Sequence, residues 1–310
     1  MAMKIAIIGA GALGSLFGGL LARSGEEVWL FDPIAKEHIA AINAHGLLIE
    51  EDRTQIRVEV PATTAIEDVG KAELIALFVK APHTEQAIRG ALPALGNDSL
   101  VLSLQNGLGI TDVLKRYVEP ERLLRGVTSQ GSTFIEPGRI RHAGRGPTWL
   151  GPVGEVERAR SERIVRSFNR AGIETHLEEN VPRLVWKKLL INVGINALTA
   201  IFGVPNGRLV ADPELCEIMR AVVREAVEVA RACGLDFATE EVIVQVEEVC
   251  RLTAENISSM LQDIRHGNPT EIDYINGAVV RQGKERGIPT PLNLLITRLV
   301  RQLEGGEDGS

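Results

Sequence analysis

Lys4-Ile-Ala-Ile-Ile-Gly-Ala-Gly-Ala-Leu-Gly14 is the stretch that decides the fold of the first half of the chain. Its apolar beginning is typical of a buried β-strand, and a Gly-x-Gly-x-x-Gly pattern follows at once. The next residues have helical character and end before Gly25, after which Glu27–Phe31 forms a second apolar run. Strand, glycine turn, helix and strand in this order predict a dinucleotide-binding unit.

Each glycine of this turn has a physical reason. Gly9 allows a tight turn, Gly11 lets the backbone approach a pyrophosphate, and Gly14 permits close packing of helix against strand. The N-terminus of the following helix offers its N–H groups to the same phosphates. We therefore expect the cofactor to contact the whole turn, which consists of Gly9, Ala10, Gly11, Ala12, Leu13 and Gly14.

Asp32 ends the second predicted strand, where it could contact the ribose of a dinucleotide. An acid at this point accepts hydrogen bonds from a ribose diol and repels a 2′-phosphate, which favours NAD(H) over NADP(H). The structural alternative is that Asp32 caps the turn into Pro33. Lys36 lies close by in the sequence and could contact a phosphate, which weakens the preference for NAD(H).

Two further apolar runs, Glu73–Val79 and Ser99–Leu104, are predicted to be strands of the same sheet. They end in Lys80 and in Gln105-Asn106-Gly107. Because ligands bind at the carboxyl ends of strands in such sheets, Lys80 and Asn106 are candidate site residues. A solvated strand end and a simple turn are the alternatives. Later strands, expected to extend this sheet, are predicted at 123–128, 132–135, 139–142 and 148–150.

Helical patterns replace the strands after residue 180. The sequence therefore predicts an α/β fold with a Rossmann-type doubly wound sheet at residues 1–180, followed by an all-helical domain at 181–303. Residues 304–310 lack an apolar anchor and are expected to be a disordered tail. Predicted helices cover about 183–201 and 212–233, then a single helix from Thr239 to His266, and a further helix that starts after Thr270.

A polar stripe interrupts the first of these helices. Lys188, Asn192 and Asn196 stand at positions i, i+4 and i+8, which places them on one face among Leu, Ile, Val and Ala side chains. A lysine beside an apolar surface loses solvation, which disfavours its charged form and makes it a proton donor near neutral pH. The structural alternative is a lysine that extends to water beside two asparagines bonded to neighbouring backbone.

Two polar residues further along the helical half, Ser259 and Glu271, are also candidates. The serine is expected near the end of its helix, and the glutamate in the first turn of the next. A serine that faces solvent and a glutamate that stabilises the helix dipole are the alternatives.

Bulk composition excludes several classes of function. The net charge is −7, and no block of Lys or Arg stands out, which argues against a nucleic-acid partner or an anionic membrane surface. Residues 5–22 are uncharged, but five glycines interrupt them, so we expect a strand and a helix rather than an export signal or a membrane span. Cys216, Cys233 and Cys250 have no disulfide or metal spacing, which is typical of the cytoplasm.

The sequence resembles the ketopantoate reductase family (2-dehydropantoate 2-reductases) from Lys4 to about Leu303. The most specific stretches are Thr253-Ala-Glu-Asn-Ile-Ser-Ser-Met-Leu-Gln-Asp-Ile-Arg265 and Thr270-Glu-Ile-Asp-Tyr-Ile-Asn-Gly277. Trp186-Lys-Lys-Leu-Leu-Ile-Asn192 and Asn196-Ala-Leu-Thr-Ala-Ile201 are nearly as specific. The resemblance implies a helical domain like that of 6-phosphogluconate dehydrogenase, and the reduction of 2-dehydropantoate to (R)-pantoate on the way to pantothenate and coenzyme A.

The resemblance also implies roles for individual residues. Lys188 matches the catalytic lysine, and Glu271 matches the glutamate where cofactor and substrate meet. Asn106 matches an asparagine that touches both ligands, Lys80 matches a lysine at the cofactor, and Ser132 falls near a further cofactor contact. The remaining matches are substrate-binding positions, which fall on Asn192, Asn196, Asn206 and Ser259.

One position departs from the family pattern. Members usually carry an arginine just after the second strand, which contacts the 2′-phosphate of NADPH, whereas this chain has Pro33 there, preceded by Asp32. NADP(H) is therefore the family expectation, and NAD(H) becomes an alternative that this chain could prefer. The rival functions are reduction of a different 2-oxo acid on the same fold, and a non-catalytic nucleotide sensor. The sequence does not establish the oligomeric state, and a homodimer is suggested only because helical second domains often associate.

Overall fold

The chain folds into two compact units in a computed structural model that describes residues 2–51 and 54–305. Unit 1 comprises Met1–Gln105 and Ile110–Leu184, and unit 2 comprises Asn106–Gly109 and Val185–Ser310. The sequence places its domain boundary after residue 180, at the start of the helix in which this division falls. Within the predicted tail, Glu304 belongs to the last helix, and residues 306–310 lie outside the described part of the chain.

Unit 1 has strands and helices that alternate along its first part. The described strands are β1 (Lys4–Ile8), β2 (Glu27–Phe31), β3 (Leu47–Glu51), β4 (Thr54–Val58), β5 (Ala62–Thr63), β6 (Ala72–Leu77), β7 (Leu95–Ser103), β8 (Leu123–Thr128), β9 (Gly131–Glu136), β10 (Arg139–Gly144), β11 (Thr148–Pro152) and β12 (Thr175–Leu177). The helices are α1 (Ala12–Arg23), α2 (Lys36–His45), α3 (Thr84–Ala91), α4 (Ile110–Leu114) and α5 (Arg158–Arg170).

The main sheet has the strand order β12-β11-β8-β7-β6-β1-β2-β5. The strands from β5 to β8 run parallel, and β11 lies antiparallel to β8. In the central strand, Ile7 pairs with Leu30 on one side and with Ala76 on the other, and all three are fully buried. Such strands are apolar throughout because helices cover both faces of a parallel sheet. The doubly wound Rossmann-type fold is confirmed.

A second, four-stranded sheet has the order β4-β3-β10-β9. The expectation that residues 132–135 and 139–142 extend the main sheet was wrong, because β9 and β10 pair with each other and β10 pairs with β3. The pattern in β10 gives the physical reason: Ile140 and His142 are buried while Arg141 is exposed. This alternation is typical of a sheet covered on one face only. The antiparallel pairing of β3 with β4 was not predicted.

Helix α1 packs against both sheets. At Gly19, a Cβ atom would lie 2.8 Å from Ile49 Cδ1 of β3, so the glycine lets the helix approach the second sheet closely. The uncharged residues 5–22 are therefore divided between a buried strand and a buried helix.

Unit 2 is helical. Its helices are α6 (Val181–Phe202), α7 (Arg208–Ala211), α8 (Pro213–Ala232), α9 (Thr239–Leu252), α10 (Ser259–Arg265), α11 (Asn276–Arg286) and α12 (Pro291–Glu304). Asp212 caps α8 as its sequence pattern indicates, with a carboxylate oxygen that accepts the N–H groups of Glu214 and Leu215. Helix α6 is long and apolar enough to cross a membrane, but 67% of its apolar window is buried within the protein.

Two helix boundaries in unit 2 differ from the prediction. The single helix expected from Thr239 to His266 is two helices, because residues 253–258 break it. Ser258 then caps α10 through its hydroxyl oxygen, and Ser259 becomes the first residue of that helix instead of lying near its end. The second difference concerns Glu271, which precedes a 3-10 turn at Ile272–Tyr274, whereas α11 begins only at Asn276.

Candidate active site

The glycine turn of unit 1 has the geometry that a pyrophosphate requires. Gly9 has φ +95°, and a Cβ atom there would lie 2.8 Å from the backbone nitrogen of Val79. A Cβ atom on Gly14 would collide with the carbonyl oxygen of Gly9. At Gly11, by contrast, a Cβ atom would meet nothing within 4 Å, so protein packing does not require this glycine. The open space at the N-terminus of α1 fits a bound phosphate group.

Asp32 caps the turn after β2, the structural alternative considered from the sequence, and it also bonds the glycine turn. Its Oδ1 accepts the N–H groups of Ile34 at 2.9 Å and Ala35 at 3.0 Å, which caps the turn after β2. Its Oδ2 accepts the N–H of Ala10 at 3.0 Å and thereby fixes the glycine turn. A carboxylate has about four lone-pair positions, so one on Oδ2 remains for a ribose hydroxyl.

A buried histidine supports the same turn. His38 Nδ1 accepts the N–H of Gly138 at 2.9 Å, so Nε2 carries the proton and donates to the Ser15 hydroxyl at 2.9 Å. Ser15 in turn donates to the carbonyl oxygen of Ala10. Burial lowers the pKa of His38, and the negative charge of Asp32 opposes this only in part. The neutral imidazole therefore belongs to the framework of the glycine turn.

Lys80 and Ser132 occupy different parts of unit 1. Lys80 follows β6, is half-buried, and precedes a 3-10 turn at Ala81–His83, which places it at the carboxyl edge of the main sheet. Ser132 lies on β9 of the second sheet, and its hydroxyl donates to the carbonyl oxygen of Arg141 at 3.2 Å. Lys80 therefore lies at a strand end of the kind that binds ligands, whereas Ser132 does not.

The polar stripe of α6 lies on a helix whose other positions form the core of unit 2. Leu189, Leu190 and Val193 are buried, whereas Lys188 and Asn192 are half-buried and Asn196 is 7% exposed. Burial at this level leaves the stripe partly accessible and gives its polar groups surroundings of low polarity, where hydrogen bonds and charges act strongly.

Several predicted residues of unit 2 meet in pairs. The Asn196 amide contacts the Ser259 hydroxyl at 3.5 Å, and the Asn106 amide donates to Glu271 at 3.1 Å. Glu271 is 9% exposed. A second hydrogen bond holds the segment that begins at Asn106. Two residues later, the Leu108 N–H donates to the carbonyl oxygen of Tyr274 at 2.9 Å.

Asn206 has one unused polar atom. Its amide nitrogen donates to the Thr253 hydroxyl at 2.9 Å, and its backbone N–H donates to the carbonyl oxygen of Asn256 at 3.0 Å. Its Oδ1 is buried and has no hydrogen-bond partner among the described residues. A buried acceptor of this kind costs free energy unless a ligand or a water molecule donates to it.

Sequence reasoning missed several buried polar residues around these positions. The Thr199 hydroxyl donates to that of Ser258 at 2.7 Å and joins α6 to the start of α10. Gln105 and Arg125 form hydrogen bonds at the carboxyl ends of the central strands. Arg125 could have been found, because a charge within the apolar run Leu123–Thr128 must find acceptors once it is buried.

The parallel sheet, the glycine turn at the start of α1 and the acid after β2 define a dinucleotide-binding protein of the dehydrogenase class. Residues 5–155 match the family described as ketopantoate reductase PanE/ApbA, and residues 180–304 match the C-terminal part of that family. The chain is 39% identical over 310 residues to the 2-dehydropantoate 2-reductase of Pyrococcus horikoshii, covering 99% of this chain and 100% of that protein. It belongs to the ketopantoate reductase family.

Solved structures with the same fold include two kinds of enzyme. A PanE/ApbA family ketopantoate reductase from Ralstonia eutropha has a TM-score of 0.90 at 36% identity, covering 99% of this chain and 100% of that one. A D-mandelate dehydrogenase in complex with NADH and anilino(oxo)acetate has a TM-score of 0.94 at 32% identity, covering 98% and 99% of the two chains.

Proposed function

We propose that this protein reduces the C2 ketone of 2-dehydropantoate to give (R)-pantoate, with NADH or NADPH as the reductant. The observation that carries this proposal is the polar stripe of Lys188, Asn192 and Asn196 on a buried helix, in a chain similar along its whole length to 2-dehydropantoate 2-reductases. Residues 1–180 would bind the cofactor, and residues 181–303 would bind the substrate and supply the catalytic groups.

In this proposal, Lys188 is the general acid. The bound nicotinamide supplies the hydride that reduces the ketone. Lys188 stabilises the negative charge that develops on the ketone oxygen and donates a proton to it. Glu271 would orient Lys188. The carboxylate and hydroxyl groups of the substrate would be held by Asn106, Asn192, Asn196, Asn206 and Ser259, which fixes the geometry of attack.

The cofactor would bind along the glycine turn from Gly9 to Gly14, with Asp32 at its ribose. Lys80, Asn106, Ser132 and Glu271 complete the proposed cofactor contacts. An acid at Asp32 repels a 2′-phosphate, and Pro33 stands where the family usually has an arginine. We therefore expect kcat/KM with NADH to equal or exceed that with NADPH. A kcat/KM that strongly favours NADPH would overturn this preference.

A second candidate function is the reduction of a different 2-oxo acid, such as one with an aromatic side chain. The specific observation in its favour is the similarity to D-mandelate dehydrogenase at a TM-score of 0.94. A panel of 2-dehydropantoate, phenylglyoxylate and smaller 2-oxo acids separates the candidates, because the true substrate gives the highest kcat/KM. A non-catalytic nucleotide sensor would bind NADH and oxidise it with none of them.

The role of Lys188 is tested by Lys188→Ala, with Lys187→Ala as the matched control. The neighbouring Lys187 is exposed, whereas Lys188 is half-buried. We expect Lys188→Ala to lower kcat by about 10²–10⁴-fold, the range for loss of a general acid, while NADH still binds. Lys187→Ala should keep wild-type kcat. Near-normal turnover by Lys188→Ala would show that another group donates the proton.

The remaining expectations concern the cell. We propose a cytoplasmic protein that acts on a small 2-oxo acid, without a nucleic-acid or membrane partner, in line with its free cysteines and acidic net charge. A homodimer stays a prediction, and light scattering of the purified protein measures its mass directly.

A further inference from the structure

Gln105 is a buried amide at the carboxyl end of β7, and it is 6% exposed. Its Nε2 donates to the carbonyl oxygen of Val79 at 2.8 Å and to the Thr84 hydroxyl at 2.8 Å. Its Oε1 accepts the Ser103 hydroxyl at 3.0 Å. Both amide protons and the oxygen are therefore engaged, so the side chain is held in one orientation within unit 1.

Arg125 completes this arrangement from β8. It is 2% exposed within a strand whose residues are all buried. Its Nη2 donates to the carbonyl oxygen of Gln105 at 2.6 Å, and its Nη1 donates to those of Ser103 at 3.0 Å and Gly126 at 2.7 Å. A buried guanidinium is costly unless acceptors take up its protons, and here the backbone oxygens of Ser103, Gln105 and Gly126 do so.

The bond from Gln105 to Val79 lies beyond the regular sheet. The pairing of β6 with β7 ends at Leu77 and Ser103. After that pair, Gln105 Nε2 links the segment that leaves β7 to Val79 in the segment that leaves β6. The Arg125 guanidinium links β8 to the backbone oxygens of Ser103 and Gln105. Val79 immediately precedes Lys80, and Gln105 immediately precedes Asn106, so the two bonds fix the backbone from which both proposed ligand-binding residues project.

We propose that Gln105, supported by Arg125, is a positioning residue for the reductase reaction. It holds the ends of β6 and β7 at the spacing that presents Lys80 to the cofactor, without touching the cofactor itself. This inference rests on the proposed function, because it requires that a dinucleotide binds at this edge of the sheet. Its substitution should therefore weaken cofactor binding in a protein that is still folded.

Gln105→Glu is the sharpest test, because it keeps the shape and replaces the donating nitrogen with an oxygen. That oxygen would face the Val79 carbonyl, which repels it instead of accepting a proton. We expect the Kd for NADH, measured by titration calorimetry without substrate, to rise about tenfold. A change of this size corresponds to the loss of about one hydrogen bond to a charged group. The KM for NADH should rise with it.

A milder variant and a matched control accompany it. Thr84→Val removes one acceptor of Gln105 Nε2 at nearly constant volume. It should raise the Kd for NADH about threefold, a smaller loss than one full hydrogen bond.

Asn169→Asp makes the same amide-to-acid change in unit 1, beside the edge strand β12. There the Asn169 amide donates to the carbonyl oxygens of Val165 at 3.0 Å and Thr175 at 2.8 Å. It should lower Tm and leave the Kd unchanged.

The outcomes separate the two proposals. If wild type binds neither NADH nor NADPH, the proposed function fails and this inference fails with it. If wild type binds and Gln105→Glu retains the wild-type Kd, only the positioning role is overturned. If Gln105→Glu does not fold, Thr84→Val decides, and an unchanged Kd in that variant overturns the role. A Kd that rises in both variants but not in Asn169→Asp supports it.

Discussion

Asp32 is the residue whose charge should set cofactor preference. Its carboxylate lies beside the glycine turn and accepts N–H groups from Ala10, Ile34 and Ala35. Asp32→Asn keeps the shape and removes the charge that repels a 2′-phosphate, an interaction of about 1 kcal/mol at a solvated site. We expect the ratio of kcat/KM for NADPH to that for NADH to rise about fivefold. An unchanged ratio would show that Asp32 only caps the turn.

His38 makes the glycine turn sensitive to acid. Because burial lowers its pKa in the folded protein, the unfolded chain binds a proton there at a higher pH than the folded one. The stability that the neutral imidazole contributes is present above about pH 6.5, the ordinary histidine value, and is lost as the pH falls below it.

The measurement for His38 is urea unfolding between pH 7.5 and 5.5. Wild type should lose more free energy of unfolding over this interval than His38→Gln, which cannot take up the proton. His45→Gln is the control, since His45 is exposed at the end of α2. Its free energy of unfolding should change with pH as that of wild type does. Equal slopes for wild type and His38→Gln would contradict the expected link.

At the scale of elements, two helical glycines should respond in opposite directions to alanine. A Cβ atom on Gly194 of α6 would lie 2.8 Å from Val223 Cγ2 and 2.9 Å from Val246 Cγ1, both in buried side chains. Overpacking costs about 1–3 kcal/mol, which exceeds the roughly 1 kcal/mol that alanine gains over glycine in a helix. Gly194→Ala should therefore lower the free energy of unfolding and, because α6 carries the polar stripe, raise the KM for the 2-oxo acid.

Gly90 of α3 provides the comparison. A Cβ atom there would meet nothing within 4 Å, so only the helix-propensity gain remains. Gly90→Ala should raise the free energy of unfolding by about 0.5–1 kcal/mol and leave the KM unchanged. Chemical denaturation and steady-state kinetics measure both variants. Stabilisation by Gly194→Ala would mean that α6 can shift away from its neighbours at little cost.

Elements with strong local signals could be predicted from the sequence. The strands at 4–8, 27–31 and 123–128 have the predicted bounds, and Asp212 caps its helix as its pattern indicates. Pairing was harder, because the alternation of β10 indicates a sheet covered on one face only, but no local signal shows that its partner is β3. The break at 253–258 also lacks glycine and proline, the usual local signals of a helix end.

At the scale of the whole molecule, the candidate site depends on contacts between distant parts of the chain. Single-sequence patterns could identify Lys188, Asn192 and Asn196, because helical spacing places them on one face. They could not bring Asn106 to Glu271 across 165 residues of sequence; only the resemblance to the family joined these residues beforehand. Gln105 was missed because a buried amide has no spacing rule, and its importance depends on which carbonyl groups surround it.

Acid sensitivity is the property that both units should share. Burial alone would raise the pKa of Glu26 in unit 1, but hydrogen bonds from Met3 N–H, Ser167 and Arg170 outweigh it and hold the pKa below the ordinary value. In unit 2, Glu247 is opposed by burial in the same way, and hydrogen bonds from Arg220 and Arg251 lower its pKa. In the unfolded chain, each carboxylate therefore takes up its proton at a higher pH than in the folded protein.

The stability from these two carboxylates is thus present above about pH 4.3, the ordinary glutamate value, and disappears as the pH falls through their lower folded values. Glu26→Gln and Glu247→Gln should each reduce the free energy of unfolding at pH 7 by about 1–3 kcal/mol, the cost of weakening a buried hydrogen-bonded acceptor. In each variant, the free energy of unfolding should also fall less steeply between pH 5 and pH 3 than in wild type. Glu155→Gln, at an exposed position, should do neither. If the free energy of unfolding fell equally with pH in wild type and all three variants, the acid sensitivity would come from other groups.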